Sequence, residues 1–414
     1  MIMPRRIDID PESVERHLQQ LARFGAVGPT GVSRPVYSPE WVAAQDQVAA
    51  WGREADLAVR RDAVGNIWSR LNGTEDGKVI VTGSHIDTQR PGGRYDGALG
   101  VIAGLIALSA LKQQLGLPKR PLEAVSLCEE EGSRFGRTHF WGSRAIVGRI
   151  DRGEAETLLD YDGISMAEAM RSVGLEPAAI PAAKRTDIDT YIELHIEQGP
   201  ILEERRLPAG IVDRITGLRH YLVEVEGRDD HAGGAPMDVR RDPMAGAAEI
   251  VSKVIETAVT MGRPAVTTVG RMLVEPNYPA IVPKRVLFMV DARHPDPAAL
   301  NELFRRHEAV FDEVGGRRHL TVRWEIAMNH PPCPADPTTV RLLEEAARTA
   351  GVPACTMHSG AGHDAQMMAN AAKMAMIFVQ SKDGRSHTPD EFTALDHCVA
   401  GVQILATVLQ RLAY

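Results

Sequence analysis

Short apolar runs alternate with stretches of helical periodicity over most of the chain. The runs at 78–81, 122–128, 190–196 and 375–379 predict buried strands, and the stretch at 101–111 predicts a helix between two of them. Strands that alternate with helices favour a largely parallel sheet covered by helices. We therefore predict an α/β domain built from residues 1–212 and 333–414.

The pattern changes between residues 213 and 332. His220–Gly227 alternates between apolar and polar positions, which is typical of a strand with one exposed face. The elements that follow are a helix at 242–261, strands at 267–274 and 285–293, a helix at 297–314 and a strand at 320–328. This β-α-β-β-α-β order predicts a small ferredoxin-like α+β domain inserted into the first.

Length, composition and charge limit the classes of protein to which this chain can belong. A chain of 414 residues exceeds the usual size of a single core, which agrees with two domains. The net charge of −8 gives no reason to expect nucleic acid or an anionic membrane as a partner. Four scattered cysteines, an N-terminus without an apolar signal core and the lack of a continuous apolar run of about 18 residues predict a cytoplasmic protein.

Imidazoles and carboxylates collect where predicted strands end. His85, Asp96, the run Glu129–Glu131, His195 and His387 each lie at or just after such a strand end. The carboxyl ends of strands are where α/β sheets place their sites. Imidazoles and carboxylates without a thiolate suit a pair of divalent ions such as Zn²⁺, Mn²⁺ or Co²⁺, with Asp96 as the natural bridge.

Each of these residues also has a simpler explanation. A single histidine near a strand is most often structural, and an acidic run is usually solvated surface. Here the run abuts a buried-looking strand that ends in Cys128, which weakens the surface explanation. If the run is extended, neighbouring carboxylates point to opposite sides, so one could bind metal and the next carry a proton. Asp87 is either a loop cap or an acceptor that fixes the His85 tautomer.

Several ordered motifs resemble one enzyme family over nearly the whole chain. They include Gly83-Ser-His-Ile-Asp-Thr88, Tyr95-Asp-Gly-Ala-Leu-Gly100, Glu130-Glu-Gly-Ser-Arg-Phe135, His195-Ile-Glu-Gln-Gly-Pro200, His231-Ala-Gly233 and Ser386-His-Thr-Pro389. The chain thus resembles the hydantoinase/carbamoylase branch of the dinuclear metallopeptidase-like amidohydrolases. That branch includes N-carbamoyl-L-amino acid hydrolases, β-ureidopropionase and allantoate amidohydrolase.

The resemblance implies a specific role for each site residue. One ion would be held by His85 and His195 and the other by Glu131 and His387, with Asp96 bridging and a cis peptide expected after it. Glu130 would take a proton from metal-bound water and deliver it to the leaving nitrogen.

The resemblance also implies contributions from the inserted domain. His231 would stabilise the tetrahedral oxyanion in the site of a partner subunit, so a homodimer is expected, with the insert as dimerisation and lid domain. The other expected substrate contacts are Gln198 to the amide or ureido group, Arg293 to a carboxylate, and Asn277 and His363. For Arg293 the simpler interpretation is an ion pair at an exposed strand end.

The inserted domain departs from the family pattern. Ala280 stands where the family usually has an asparagine that contacts the substrate, whereas the metal motifs are intact. We therefore predict a metal-dependent hydrolase of a linear amide, acting on an N-carbamoyl or ureido acid or an allantoate-like substrate, and one that differs from an ordinary N-carbamoyl-α-amino acid. The alternatives are a dipeptidase or N-acyl-amino-acid deacylase on the same scaffold, and a non-catalytic binding protein.

Overall fold

The computed structural model describes residues 6–136 and 138–414, which divide into two compact units. The first unit contains the chain up to Asp213 together with Pro334–Tyr414, and the second is Arg214–Cys333. The N-terminal stretch Met1–Arg5, part of the segment in which we found no signal core, lies outside the described residues. All four cysteines are free thiols.

The described residues form strands and helices that are numbered here in chain order. The strands are β1 Ala26–Val27, β2 Gly31–Val32, β3 Ala58–Arg61, β4 Ile67–Leu71, β5 Val79–His85, β6 Leu122–Leu127, β7 Ile188–Ile196, β8 Ala209–Ile215, β9 Gly217–Glu226, β10 Asp230–His231, β11 Val266–Glu275, β12 Ile281–Val282, β13 Arg285–His294, β14 Thr321–His330, β15 Cys333–Pro334, β16 Ala354–Ser359 and β17 Lys373–Val379. The α-helices are α1 Pro11–Leu21, α2 Pro39–Glu54, α3 Ala98–Leu115, α4 Trp141–Val147, α5 Glu154–Thr157, α6 Met166–Ser172, α7 Ile201–Arg205, α8 Pro243–Met261, α9 Pro297–Arg318, α10 Pro337–Ala350, α11 Asp364–Met368 and α12 Leu395–Ala413. Short 3₁₀ helices cover Pro177–Ala183, Met237–Val239 and Lys382–Gly384.

The large sheet of the first unit is mixed, not mostly parallel as predicted. Its order is β15-β8-β17-β7-β5-β6-β4-β3, with β16 paired to β8. Strands β17, β7, β5 and β6 are parallel, whereas β3–β4, β4–β6 and β8–β17 are antiparallel. For β3 and β4 the parallel prediction fails because their short connection cannot make the crossover that parallel strands need.

The parallel strands form the core that positions the site. Every residue of β5 and β6 is buried, and β7 is buried except at Asp189. Helix α3 packs against β5, β6 and β7, and α12 packs against α3, α10 and β17. Helix α3 is long and apolar enough to span a membrane by length and composition, but 67% of its length is buried inside the protein. It is therefore a core helix of this unit.

A polar residue followed by proline starts several helices. Ser38 Oγ accepts the Trp41 amide at the start of α2, as the sequence predicted. Asp242, Asp296 and Asp336 cap α8, α9 and α10 in the same way, each before a proline in the first turn. Proline suits this position because its missing N–H would have no helical partner there.

The second unit has the predicted β-α-β-β-α-β order. Its four-stranded sheet is antiparallel throughout, in the order β11-β13-β9-β14, and β10 and β12 form a separate two-stranded ribbon. Helices α8 and α9 pack on the sheet around a core that includes Tyr221, Phe288 and Phe311. Strand β13 alternates strictly between buried and half-buried positions, as expected when one face of the sheet is covered by helices.

Candidate metal centre

All five predicted metal ligands lie at or beyond the carboxyl ends of strands in the first unit. His85 is the last residue of β5, and His195 is the last but one of β7. Asp96 lies in the loop before α3, Glu131 follows β6, and His387 lies between β17 and α12. Because β5, β6, β7 and β17 are parallel, their carboxyl ends meet at one edge of the sheet.

The five side chains form two groups of donors that share Asp96. One group is His85, Asp96 and His195, and the other is Asp96, Glu131 and His387; within each, the potential ligand atoms lie within 4.8 Å of one another. Oδ1 of Asp96 is 3.5 Å from Nε2 of His85 and 3.1 Å from Nε2 of His195, whereas Oδ2 is 3.5 Å from Nε2 of His387. Nitrogen and oxygen donors arranged around one shared carboxylate fit a pair of divalent ions.

Backbone carbonyls orient two of the imidazoles. Nδ1 of His85 lies 3.0 Å from the carbonyl oxygen of Asp87, and Nδ1 of His195 lies 2.9 Å from that of Ile196. These contacts place the proton on Nδ1 and leave Nε2 as the ligand atom. The Asp87 carboxylate, which we expected to fix His85, accepts the amide of Glu131 instead at 3.1 Å and lies 3.8 Å from His85 Nδ1.

The acidic run lies in a turn, so the extended geometry assumed from the sequence is wrong. Strand β6 ends at Leu127, and Glu129 adopts a positive φ of 50° while its carboxylate accepts the amides of Arg134 and Phe135. The turn nevertheless directs the carboxylates of Glu130 and Glu131 towards different imidazoles. Oε2 of Glu130 lies 3.7 Å from Nε2 of His85, and Oε2 of Glu131 lies 3.3 Å from Nε2 of His387.

Burial and mutual repulsion shift the acidities of these carboxyl groups. Burial raises the pKa of Glu131 to about 7, aided by the charge of Asp96, and burial raises the pKa of Glu130 well above its usual value. Burial also acts to raise the pKa of Asp96, but the nearby imidazoles of His195 and His85 hold it well below its usual value. A divalent cation would favour the charged carboxylates, which opposes the upward shifts at Glu130 and Glu131 and adds to the downward shift at Asp96.

The peptide after Asp96 is not cis, contrary to expectation. The cis bonds in the described part of the chain all precede prolines, at Pro91, Pro264 and Pro276. Gly97 makes the turn instead with a φ of 61°, which a glycine adopts without strain, and its amide lies 3.1 Å from Nε2 of His195. A side chain at Gly97 would overlap the His85 ring, so the position also needs glycine for space.

Two predicted substrate contacts also lie in the first unit. Nε2 of Gln198 donates to Asp96 Oδ2 at 2.7 Å, while Oε1 of the same amide is buried without a hydrogen-bond partner among the described residues. His363 is buried, with its ring centroid 4.6 Å from that of His195 and its Nε2 3.0 Å from Ser359 Oγ. Burial and the charge of His195 lower the pKa of His363 well below its usual value, so this imidazole is neutral.

His231 lies on a short ribbon of the second unit, next to Ala280. Strand β10 pairs with β12, with His231 opposite Ile281, and the carbonyl of Ala280 accepts the amide of Ala232 at 3.0 Å. Nδ1 of His231 accepts the amides of Gly233 and Gly234 at 3.1 and 2.9 Å. The imidazole therefore carries its proton on Nε2 and can donate a hydrogen bond from an exposed side chain.

The remaining candidates lie in the same unit. Asn277 is exposed in the loop between β11 and β12, with a φ of 55°. Arg293, on β13, forms a two-pronged ion pair with Asp291 at 2.8 and 2.7 Å. This pair is the simpler interpretation that we considered for Arg293, and its contact with a substrate carboxylate stays a prediction.

Three residues that the sequence did not single out contact the ligands. Gln89 donates to Glu131 Oε2 at 2.8 Å, Ser386 donates to Asp96 Oδ2 at 2.7 Å, and Glu391 accepts the Asp96 amide at 3.0 Å. Ser386 belongs to the quoted Ser-His-Thr-Pro motif, whereas Glu391 lies just beyond it. A buried glutamate two residues after a proline gives no periodic signal, so only its proximity to the motif could have drawn attention to it.

Known proteins are similar to this chain in sequence and in fold. The model of peptidase family M20/M25/M40 matches residues 81–411, well over half of the chain. The chain belongs to peptidase family M20/M25/M40. Within the family it is 39% identical to an allantoate amidohydrolase of Bacillus subtilis over 97% of this chain and 98% of that one. It is 37% identical to an N-carbamoyl-L-amino-acid amidohydrolase of Paenarthrobacter aurescens, again over 97% and 98%.

A solved member of the family has the same fold. The crystal structure of a hydantoinase/carbamoylase family amidase from Burkholderia multivorans superposes with a TM-score of 0.89 at 33% identity, covering 98% of both chains. Enzymes of this M20 family are metal-dependent, and the donor groups around Asp96 supply fitting ligands. The chain is thus a metal-dependent amidohydrolase that acts on linear C–N amide bonds.

Proposed function

We propose that this M20 enzyme hydrolyses a ureido acid of the allantoate kind at a centre that holds two divalent ions. The observation that carries the proposal is the pair of donor groups that share Asp96, with the Glu130 carboxylate beside them. His85 and His195 would hold one ion, Glu131 and His387 the other, and Zn²⁺, Mn²⁺ and Co²⁺ all suit these ligands. Bound ions of this kind supply Lewis acidity, which lowers the pKa of water and polarises a carbonyl group.

The residues around the centre have distinct tasks in this proposal. Glu130 takes a proton from the attacking water and delivers it to the leaving nitrogen, a role that its raised pKa supports. Gln198 binds the ureido group, because its buried Oε1 can accept an N–H that no described protein group supplies. His231 donates from Nε2 to the oxyanion, Arg293 binds the substrate carboxylate, and Asn277 and His363 are further substrate contacts.

The preferred substrate differs from an ordinary N-carbamoyl-α-amino acid in this proposal. Ala280, whose carbonyl accepts the Ala232 amide beside His231, cannot make the side-chain hydrogen bonds of the asparagine that the family resemblance implies at this position. The relatives named for allantoate and for N-carbamoyl-L-amino acids support the reaction class equally, since their identities to this chain are almost the same. The choice of an allantoate-like substrate therefore depends on Ala280.

A substrate panel tests the proposal directly. Protein loaded separately with Zn²⁺, Mn²⁺ or Co²⁺ is incubated with allantoate, N-carbamoyl amino acids, β-ureido acids and dipeptides, and ammonia release is measured. We expect the highest kcat/KM for allantoate or another ureido acid. Turnover of dipeptides or N-acyl amino acids without ammonia would contradict the proposal, and no turnover of any amide by fully loaded protein would indicate a binding protein. The best turnover on simple N-carbamoyl-L-amino acids would contradict the role given to Ala280.

We also propose that the enzyme is a homodimer in which His231 acts in the site of the partner subunit. Mixing the inactive variants Glu130→Gln and His231→Asn tests this arrangement. If the histidine crosses between subunits, each mixed dimer has one intact site, and a statistical mixture regains about a quarter of wild-type activity. If His231 serves its own subunit, the mixture stays inactive.

A further inference from the structure

A buried carboxylate outside the ligand set connects two of the ligand loops. Glu391 is only 4% exposed and follows His387 by four residues. Its Oε1 accepts two backbone amides from the other loop, those of Tyr95 at 2.9 Å and Asp96 at 3.0 Å. A carboxylate buried this deeply is costly unless hydrogen bonds satisfy it, and here one of the two comes from Asp96, the residue that the donor groups share.

Ser386 extends the same connection to the Asp96 side chain. Its Oγ lies 2.7 Å from Asp96 Oδ2 and 2.8 Å from Glu391 Oε2. A hydroxyl carries one proton, so it is shared between these two acceptors. Asp96 is thus held by Glu391 at its backbone amide and, through Ser386, at the oxygen that faces His387.

The Glu391 side chain packs closely against the backbone of the other loop at Gly93. A Cβ atom on Gly93 would lie 2.2 Å from Glu391 Oε1 and 2.5 Å from its Cβ. The loop from Gly93 to Asp96 therefore lies directly against the glutamate side chain. This close fit fixes the distance between the loop that carries Asp96 and the loop that carries His387.

We propose that Glu391 is a positioning residue that sets the bridging carboxylate of Asp96 and so couples the affinities of the two ion sites. It acts through two amides and the Ser386 hydroxyl and belongs to neither of the two donor groups. The inference rests on the dinuclear centre of the proposed function. Removing Glu391 should therefore weaken both ions together, because both depend on Asp96.

The test is a metal titration of the full-length protein, with ion affinity and not turnover as the readout. Co²⁺ is titrated by calorimetry into chelator-treated wild type, Glu391→Ala, Glu391→Gln and Ser386→Ala, and the absorption spectrum of the loaded protein reports the ligand geometry. Thermal unfolding of the metal-free proteins shows separately whether the fold is disturbed. Asp390→Asn is the matched control, because this neighbouring carboxylate is exposed and pairs only with Arg385 in the described structure.

We expect Glu391→Ala to weaken both ions by about 10- to 100-fold and to alter the Co²⁺ spectrum. Glu391→Gln should restore affinity to within about threefold of wild type, since its oxygen still accepts both amides and its NH₂ can donate to Ser386. Ser386→Ala should weaken both ions without lowering the unfolding temperature, and its effect should not add to that of Glu391→Ala.

Two results would overturn the inference. Wild-type affinities and spectrum in both Glu391→Ala and Ser386→Ala would show that Asp96 needs neither residue. A loss confined to the unfolding temperature, or an equal loss in Asp390→Asn, would assign Glu391 a purely structural role. Failure of the wild type itself to bind two ions would instead refute the dinuclear centre, and the inference with it.

Discussion

The two sets of candidate residues are held in the protein in different ways. Four of the five candidate ligands, His85, Asp96, Glu131 and His195, are buried, and a backbone carbonyl fixes the second nitrogen of His85 and of His195. The fifth, His387, is exposed. His231 and Asn277 lie exposed on or beside a two-residue ribbon of the second unit. A buried set of ligands tolerates little change, whereas an exposed ribbon can change residues without loss of fold. This difference in burial indicates why the buried ligands match the family motifs, whereas Ala280, on the exposed ribbon side, departs from the family pattern.

Removal of the ions should have the largest effect on activity, and it should act on the candidate metal ligands of the first unit alone. We expect dialysis against a chelator to abolish ammonia release, because water attack then lacks Lewis acid assistance. Added Zn²⁺, Mn²⁺ or Co²⁺ should restore activity, whereas Mg²⁺, which prefers oxygen ligands, serves as the control that should not. Full activity in protein that elemental analysis finds free of metal would refute the proposed centre.

Glu130→Gln should separate proton transfer from metal binding within the same buried set. The amide cannot accept the proton, so kcat should fall by at least about 10³-fold. Both ions should remain bound, because Glu130 is absent from both donor groups. Steady-state kinetics and elemental analysis measure the two quantities, with Asp390→Asn as an exposed carboxylate control. Loss of one ion in Glu130→Gln would mean that Glu130 and not Glu131 is the ligand.

His231→Asn tests whether the exposed ribbon contributes to the chemical step. Loss of the Nε2 donor should lower kcat by about 10²- to 10³-fold, while metal content stays the same. His319→Asn is the matched control, since His319 is exposed in the same unit with a positive φ that asparagine also adopts. Equal kinetics for both variants would remove His231 from the mechanism.

The smallest effect is expected from Ala280→Asn, which changes specificity and not chemistry. A restored carboxamide should raise kcat/KM for N-carbamoyl-α-amino acids by up to about tenfold, the amount that one hydrogen bond provides. Ala280→Leu adds similar bulk without the carboxamide and should not give this gain. If neither variant changes the ratio of allantoate to carbamoyl turnover, Ala280 does not determine specificity.

The sequence predicted features that repeat along the chain or that lie at strand ends. Apolar periodicity located the central parallel strands and the order of the second unit, and the polar residues after those strands supplied all five candidate ligands. The pairing of the flanking strands was harder to predict from the sequence, since antiparallel pairing depends on which strand becomes each one's neighbour in the sheet. The turn at Glu129 was missed because three consecutive glutamates do not indicate a positive φ.

Contacts between distant segments could not be predicted in the same way. Glu391 and Asp96 are nearly 300 positions apart, and nothing in the local sequence of either indicates that a side chain of one accepts the backbone amide of the other. The same holds for Gln89 and Ser386, whose contacts also join segments that are distant in the sequence. Residues of this kind can be identified only in the folded structure, where the strands bring their loops together.

The position of β17 has a consequence for biosynthesis. This strand is the last of the large sheet in chain order, yet it lies between β7 and β8. On the ribosome, β7 and β8 therefore emerge long before the strand that joins them, and the whole second unit is translated in the interval. The sheet and the His387 loop can be completed only when β17 and that loop have left the exit tunnel. A nascent chain thus cannot bring His387 to the other candidate ligands before the second unit and β17 have been translated.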